Sequence, residues 1–367
     1  MNTFGKNIRL SIFGESHGDC VGITIDGLPS GIAINQTKIK EMLKIRQGLK
    51  DISTPRDEDN DYQIISGYFE NHTTGAPLTF LIKNHKADSS QYKDAGLIRP
   101  SHADYPLYQK YKGQNDYRGG GHASGRLTAA LVIVGAICDQ LLEEENIFVF
   151  SHINSIKSVK DTSIDIQNLS IEKIKVLKSC MFPTFDERGK TLMIEQINKA
   201  KKNNDAVGGT IETFAIGVPI GLGEPFFDSL ESLLAHAIFS IPGVKSLEFG
   251  DGIAMCNQVA SKIVDQMAYN NGQITFLSNH QGGINGGISN GNYLNFRVGV
   301  RAPSSISTPL SSIDLKKHET VIVQTIGKHD PTIVHRVLPV VNAMTSFILL
   351  DLSLIHISEP TRRVVIS

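Results

Sequence analysis

At 367 residues, 40% hydrophobic and 20% charged, the chain can bury one large core or two ordinary ones, which places it among globular proteins. Its formal net charge of −1 excludes a global attraction to nucleic acid or to an acidic membrane surface, so any anion site must be built by local clustering. The cysteines Cys20, Cys138, Cys180 and Cys256 form no CxxC pair, which excludes a zinc ribbon and points to a reducing compartment. The opening residues show neither a secretory apolar stretch nor an arginine-rich transit segment, so a cytoplasmic location is expected.

Ile8 to Phe13 alternates like a strand, and Val21 to Gly27 repeats the pattern after a glycine-rich connection, which predicts a hairpin. Thr37 to Arg46 carries Ile39, Met42 and Leu43 at helical spacing, a helix that would aim Arg46 back toward that hairpin. Leu127 to Cys138 is apolar on every side before the acidic cluster Glu143 to Glu145; it reads as a buried helix, too short to cross a bilayer. Met193 to Lys202 reads as an amphipathic helix, Thr210 to Val218 as a strand, Leu230 to Phe239 as a short apolar helix and Ile333 to Leu350 as a longer one. With no fixed-period repeat and no long Pro/Gly/Ser linker, one intertwined domain over residues 1–351 is expected. From Leu352 the composition changes, and residues 352–367 read like the translation of a sequencing adapter, a non-native tail outside the fold.

The most informative stretch is Arg118-Gly119-Gly120-Gly121-His122-Ala123-Ser124-Gly125-Arg126, set directly before the apolar helix. Bare glycines let backbone N–H groups approach a ligand, a helix start adds partial positive charge, and each guanidinium offers a planar fork for phosphate or carboxylate. Gly120 and Gly125 have P-loop spacing but are followed by Arg126 and Leu127 instead of Lys and Ser or Thr; a dinucleotide fingerprint from Gly119 would put its third glycine at Ser124. Neither motif holds, and a glycine-rich surface turn is the other reading. A second glycine landmark, Ser278 to Gly291, has two Gly-Gly pairs four residues apart, suited to close approach by a planar ligand or to a turn-rich loop. Three further groups join imidazole to charge or glycine: Gly14-Glu15-Ser16-His17-Gly18, Arg99-Pro100-Ser101-His102-Ala103-Asp104, and Gly327-Lys328-His329-Asp330-Pro331.

Taken together, in this order and spacing, these five motifs resemble the chorismate synthase family from about Asn2 to Leu350. The resemblance implies an α+β fold, a single-domain β-α-β sandwich assembling as a homotetramer. It implies a carbon–oxygen lyase that eliminates phosphate from 5-enolpyruvylshikimate 3-phosphate to give chorismate, the last common step of the shikimate pathway to aromatic amino acids. Reduced FMN takes part without net redox change, with NADPH only as a source of reducing equivalents and a separate flavin reductase as the expected partner. Two carboxylates and a phosphate on the substrate call for clustered cations. By resemblance, Arg46, Arg99 and Arg126 bind substrate; His17 lies by the leaving phosphate, His102 by the flavin, and Asp330 works in C6 proton removal. Family flavin contacts map onto His122, Ala123, Ser124, Pro242, Gly243, Gly286, Arg301, Ala302, Pro303, Ser304, Ser305 and Lys328. No metal, nucleic-acid or membrane partner is implied.

The sequence departs from the family pattern in places. Lys328 stands for a common arginine and loses the bidentate fork. The arginine-rich segment after the first helix is reduced to Lys44 to Lys50, which leaves Lys50 or Arg56 as the second cation. Two other classes of function compete. A metal-dependent hydrolase could use His17, His102, Asp104, His329 and Asp330, but no HExxH-like pair exists. A non-catalytic phosphometabolite-binding protein would leave the turn-borne histidines and Asp330 without a task.

Overall fold

A computed structural model describes residues 2–49, 51–53, 60–85, 89, 92, 95–324 and 329–358, with 167 and 355–358 by backbone alone. The predicted hairpin forms: β2 (Arg9–Gly14) pairs antiparallel with β3 (Cys20–Asp26), Arg9 opposite Asp26 and Gly14 opposite Val21. With β1 (Thr3–Phe4), β4 (Tyr62–Ser66) and β5 (Leu78–Lys83) they make a five-stranded sheet in the order β1-β2-β3-β5-β4. Leu10, Val21, Ile23, Ile25, Leu78, Phe80 and Ile82 are buried, the apolar set expected of strands that cover helices.

The helices α1 (Gln36–Gln47), α2 (Asp104–Tyr111) and α3 (Thr128–Glu144) follow. A second five-stranded sheet contains β6 (Phe148–Ile156) and β7 (Val159–Lys160). After α4 (Ile171–Ser179) and α5 (Glu187–Lys202) come β8 (Gly209–Ile216), α6 (Leu230–Phe239), β9 (Val244–Phe249) and β10 (Leu294–Val300), giving the antiparallel order β9-β10-β8-β6-β7. The last helix, α7, runs Val334–Ser358. α3 touches β3 and β5 on one side and β6 on the other, and α7 touches β6 and β8, so helices form the layer between two sheets. The fold is α+β, as expected.

α3 and α7 cross closely because α3 presents no side chain there: a Cβ on Gly135 would stand 2.2 Å from Ala343 Cβ. With Val132, Ile133, Val134 and Ile137 buried around it, α3 is apolar on all sides because protein surrounds it on all sides. The expectation that this segment is too short to cross a bilayer needs correction. Gly125–Glu144 and Val334–Leu354 are each long and apolar enough by length and composition, but their apolar windows are 78% and 89% buried within the fold, as core helices are.

α7 also corrects the view of the chain end. Leu352 and Leu354 pack against the core and Ser353 Oγ donates to Leu349 O at 2.6 Å, so the compositional change at Leu352 falls inside the helix. One turn earlier, the Asp351 carboxylate accepts the backbone N–H groups of Lys6, Asn7 and Ile8 at 2.9, 2.7 and 2.7 Å, stitching α7 to the entry of β2.

Candidate active site

The glycine run is a kinked 3₁₀ segment, not a smooth helix start. Gly119, Gly120 and Gly121 have φ of 59°, 90° and 54°, the left-handed region that suits glycine. A Cβ on Gly119 would fall 2.3 Å from His17 Cδ2 and 2.5 Å from its Nε2, and one on Gly120 would fall 3.1 Å from His102 Cε1. Two adjacent glycines of the run therefore face the two imidazoles that the sequence places 85 positions apart. The turn bearing His17 is fastened to it by Ser16, whose N–H donates to Gly121 O at 3.2 Å.

His17 is half-buried, its Nδ1 3.0 Å from Ser89 Oγ and its ring edge-on to Tyr92 at 5.0 Å between centroids. Tyr92 also faces the Arg99 guanidinium, 5.5 Å from the ring centroid, an attractive cation–π placement. Arg99 forks onto Asp104, Nε to Oδ2 and Nη2 to Oδ1, both at 2.7 Å. Burial pulls the Arg99 pKa down, but the Asp104 carboxylate outweighs it and the net shift is upward. Asp104 moves the opposite way: burial would raise its pKa, yet hydrogen bonds from Arg99 and His102 hold it well below the usual carboxylate range.

Arg126 stands where the run turns into α3. Its Nε donates to Asn84 Oδ1 at 3.1 Å and its Nη1 to Asn60 Oδ1 at 2.5 Å. Asn84, at the end of β5, also donates through Nδ2 to the carbonyls of Glu15 and Gly18 at 2.9 and 3.0 Å, tying Arg126 to the His17 turn. Arg118, the other arginine of the run, is forked onto Asp116 at 2.8 and 2.9 Å, which removes it from the cation pair the sequence suggests for one ligand. Ser124 accepts from Arg126 N–H at 3.4 Å as the cap of the turn into α3, and His122 packs edge-on against Tyr111.

Arg46 does not turn back to the hairpin as expected. It is only 3% exposed, with Nε donating to Thr128 Oγ1 at 2.9 Å and Nη2 to Gly125 O at 2.8 Å, so it braces the turn next to Arg126. Its carbonyl accepts from Arg336 Nε at 3.3 Å, and Arg336 Nη1 donates to Asp330 at 2.8 Å. Asp330 thus reaches the glycine run through two arginines. His335, next to Arg336, is buried; burial and the Arg336 cation push its pKa down to about 4. Its Nε2 meets Ser53 Oγ at 2.6 Å while Nδ1 finds no partner among the described residues.

Of the remaining predicted segments, two meet this corner. Pro242 and Gly243 form the turn between α6 and β9; Arg301 N–H donates to Gly243 O at 2.9 Å and Arg301 Nη2 to Ser101 O at 3.4 Å, beside His102. Arg301 also bonds Ala302 O and Ser304 Oγ, holding the 301–305 segment, with Pro303 and Ser305, in one bend after β10. A Cβ on Gly243 would lie 2.9 Å from Ile333 Cδ1, three residues from Asp330. Gly286 stands elsewhere: its hairpin packs on residues 221–230, with Gly287 O accepting from Leu230 N at 2.8 Å, while a Cβ on Gly286 would meet nothing within 4 Å. Lys328, Lys50 and Arg56 lie outside the described residues. Asn84 and Arg336 escaped the sequence because their partners lie 42 or more positions away or, for Asp330, across the start of α7, with no local motif. Among the described residues, no group of three or more His, Cys, Asp or Glu is arranged to hold a metal ion.

The chorismate synthase family model matches residues 8–354. Chorismate synthase of Thermococcus gammatolerans is 41% identical over 348 residues, covering 95% of this chain and 96% of that one. Chorismate synthase of Dehalococcoides mccartyi is 42% identical over 359 residues, covering 96% of each. A crystal structure of chorismate synthase superimposes with a TM-score of 0.69 at 25% identity over 96% of this chain and 93% of that one. The chain belongs to the chorismate synthase family and is accordingly a carbon–oxygen lyase acting on phosphates (EC 4.2.3.5).

Proposed function

We propose that this lyase eliminates phosphate from 5-enolpyruvylshikimate 3-phosphate to give chorismate, with reduced FMN and no net redox change, as the last common step toward the aromatic amino acids. The observation that carries this reading is the cluster at the glycine run: His17 against Gly119, His102 against Gly120 with Arg301 bonded beside it at Ser101 O, and Arg46 bonded to Gly125 O and, through Arg336, to Asp330. It gathers imidazoles, a carboxylate and arginines around bare backbone, as a substrate with two carboxylates and a phosphate requires.

The residues present fit a flavin. Gly120, at φ 90°, leaves its space next to His102 unfilled by any side chain, and the 301–305 bend and the Pro242-Gly243 turn adjoin the same corner. We assign FMN contact to His122, Ala123, Ser124, Pro242, Gly243, Arg301, Ala302, Pro303, Ser304 and Ser305, with Lys328 as a further contact. Bound and reduced, FMN would supply electron density to the breaking C–O bond.

The protein's own groups do the rest. Arg99 and Arg126 hold the substrate anions, and Arg46, which braces the Arg126 turn from within, keeps that cation aimed. A His17 ring that accepts from Ser89 Oγ–H at Nδ1, 3.0 Å away, would carry its proton at Nε2, suited to donation toward the departing phosphate. Asp330 accepts the C6 proton at its carboxylate, oriented by Arg336. One catalytic domain, its last helix packed through Leu354, acts in the cytoplasm, supplied with reduced flavin by a separate reductase that draws on NADPH. The homotetramer rests on the family likeness, and Ile220, Phe226 and Phe227, 72, 86 and 92% exposed in a single chain, support self-association. Anaerobic incubation of the protein with chemically reduced FMN and 5-enolpyruvylshikimate 3-phosphate should yield chorismate and inorganic phosphate in equal amounts. Absence of both products would overturn the assignment.

A further inference from the structure

Asp104 is the hub of an array the sequence shows only as neighbours. Its Oδ2 accepts from Arg99 Nε at 2.7 Å and from Arg99 backbone N–H at 3.2 Å. Its Oδ1 accepts from Arg99 Nη2 at 2.7 Å and lies 2.7 Å from His102 Nδ1. It is the first residue of α2, where unsatisfied amides favour a negative charge. A carboxylate so held stays ionised, and an ionised carboxylate can only accept. The hydrogen between Oδ1 and Nδ1 therefore belongs to the imidazole.

This settles a conflict in the array. Arg99 Nη2 approaches His102 Nδ1 to 3.1 Å, which would be a hydrogen bond only if Nδ1 carried a lone pair. A bare Nδ1 lone pair would then face the Asp104 oxygen at 2.7 Å with no hydrogen between two acceptors. The 3.1 Å contact is instead two donors converging on one oxygen. A neutral ring protonated at Nδ1 carries its lone pair at Nε2. That atom lies on the glycine side, 3.7 Å from where a Gly120 Cβ would be.

We propose that Asp104, itself gripped by Arg99, is a positioning residue that fixes His102 as the Nδ1–H tautomer and so leaves Nε2 as the lone-pair, hydrogen-bond-accepting atom presented to the glycine corner. The catalytic consequence rests on the function proposed above; the tautomer does not. A second consequence concerns Arg99, which commits Nε and Nη2 to Asp104 and retains Nη1 as the one arm not bound to that carboxylate.

The test is long-range ¹H–¹⁵N spectroscopy of the ¹⁵N-histidine-labelled full chain, with His102 assigned from the signals lost in His102→Gln. Wild-type protein should show the Nδ1–H pattern at His102, and Asp104→Asn should convert it to Nε2–H while lowering kcat on the order of 100-fold, together with a rise in KM from the loosened Arg99. Asp104→Glu should restore the Nδ1–H pattern and part of kcat. An Nε2–H pattern in the wild type overturns the proposal, and that measurement needs no variant to fold. A purely structural role for Asp104, in which it only anchors Arg99, would leave the tautomer and kcat alone and raise KM only. If the wild type forms no chorismate, the proposed reaction fails while the tautomer result stands or falls separately.

Discussion

Replacing Gly119 with alanine tests whether the glycine run is a seat for His17 or only a turn. The added Cβ would stand 2.3 Å from His17 Cδ2, 2.5 Å from Nε2 and 2.5 Å from Ser16 Oγ. Carbon atoms settle at about 3.5 Å or more, so the ring must retreat by roughly 1 Å. An L-residue at φ 59° adds a backbone cost of about 1–2 kcal/mol, tolerable against the stability of a folded domain. A displacement of about 1 Å in a reacting group costs on the order of 100-fold in rate. The expected result is therefore a kcat about 100-fold down with folding retained, read by anaerobic chorismate formation and urea unfolding. Gly125→Ala is the internal control, since its Cβ would meet nothing within 4 Å, and it should keep most of the activity. In a His17→Ala background, Gly119→Ala should cost little further, because the group it displaces is gone. Wild-type kcat in Gly119→Ala, or an equal loss with and without His17, would refute the seat.

His17→Ala and Asp330→Asn should each lower turnover by about two orders of magnitude, the range of acid–base groups, and Arg336→Met should lower it by about tenfold or more, with lysine restoring part; wild-type rates would remove the residue concerned. Because His335 sits near pKa 4 in the fold against about 6.5 unfolded, the unfolded chain binds the extra proton first, and stability should fall as pH drops from about 6.5 to about 4. The drop attributable to it is up to about 3 kcal/mol; urea unfolding at pH 7 and 4.5 should show a flatter dependence in His335→Asn, and equal slopes would clear His335. Asp351→Ala strands three backbone donors at the entry of β2 and should cost about 3 kcal/mol, so an unchanged urea midpoint would show that the stitch between α7 and the N-terminus is dispensable.

The secondary structure was legible where one period dominated a segment. The hairpin, α1, α3, α6 and β8 fall within a few residues of their apolar patterns, because each buries one defined face or, for α3, every face. The end of α7 was not. Residues after Asp351 change composition, yet Leu352 and Leu354 still fall on the buried stripe, and a helix responds to where apolar groups point, whatever the origin of the codons. The layer order also escaped, since nothing in a strand's alternation says that β10 joins β8 across 77 intervening residues.

The site was legible in its reactive groups and not in their commitments. Glycines, histidines and arginines announce themselves by type, but whether a guanidinium faces a ligand or a neighbour depends on carboxylates that only the fold brings near. Arg118 is spoken for by Asp116 two positions away, a pairing adjacency alone could have suggested. Arg46 turns inward because Gly125 O and Thr128 Oγ1 meet it at the start of α3, 79 and 82 positions on. That inward turn is what lets one buried cation serve two parts of the site: its guanidinium shapes the turn that aims Arg126, while its carbonyl steadies Arg336, which orients Asp330. Loss of Arg46 should therefore impair anion binding at Arg126 and proton removal at Asp330 together, raising KM and lowering kcat in one variant. Arg46→Lys, which keeps the charge but not the fork, should reproduce both effects in part; a change in KM alone would mean that the Arg336 link carries no weight.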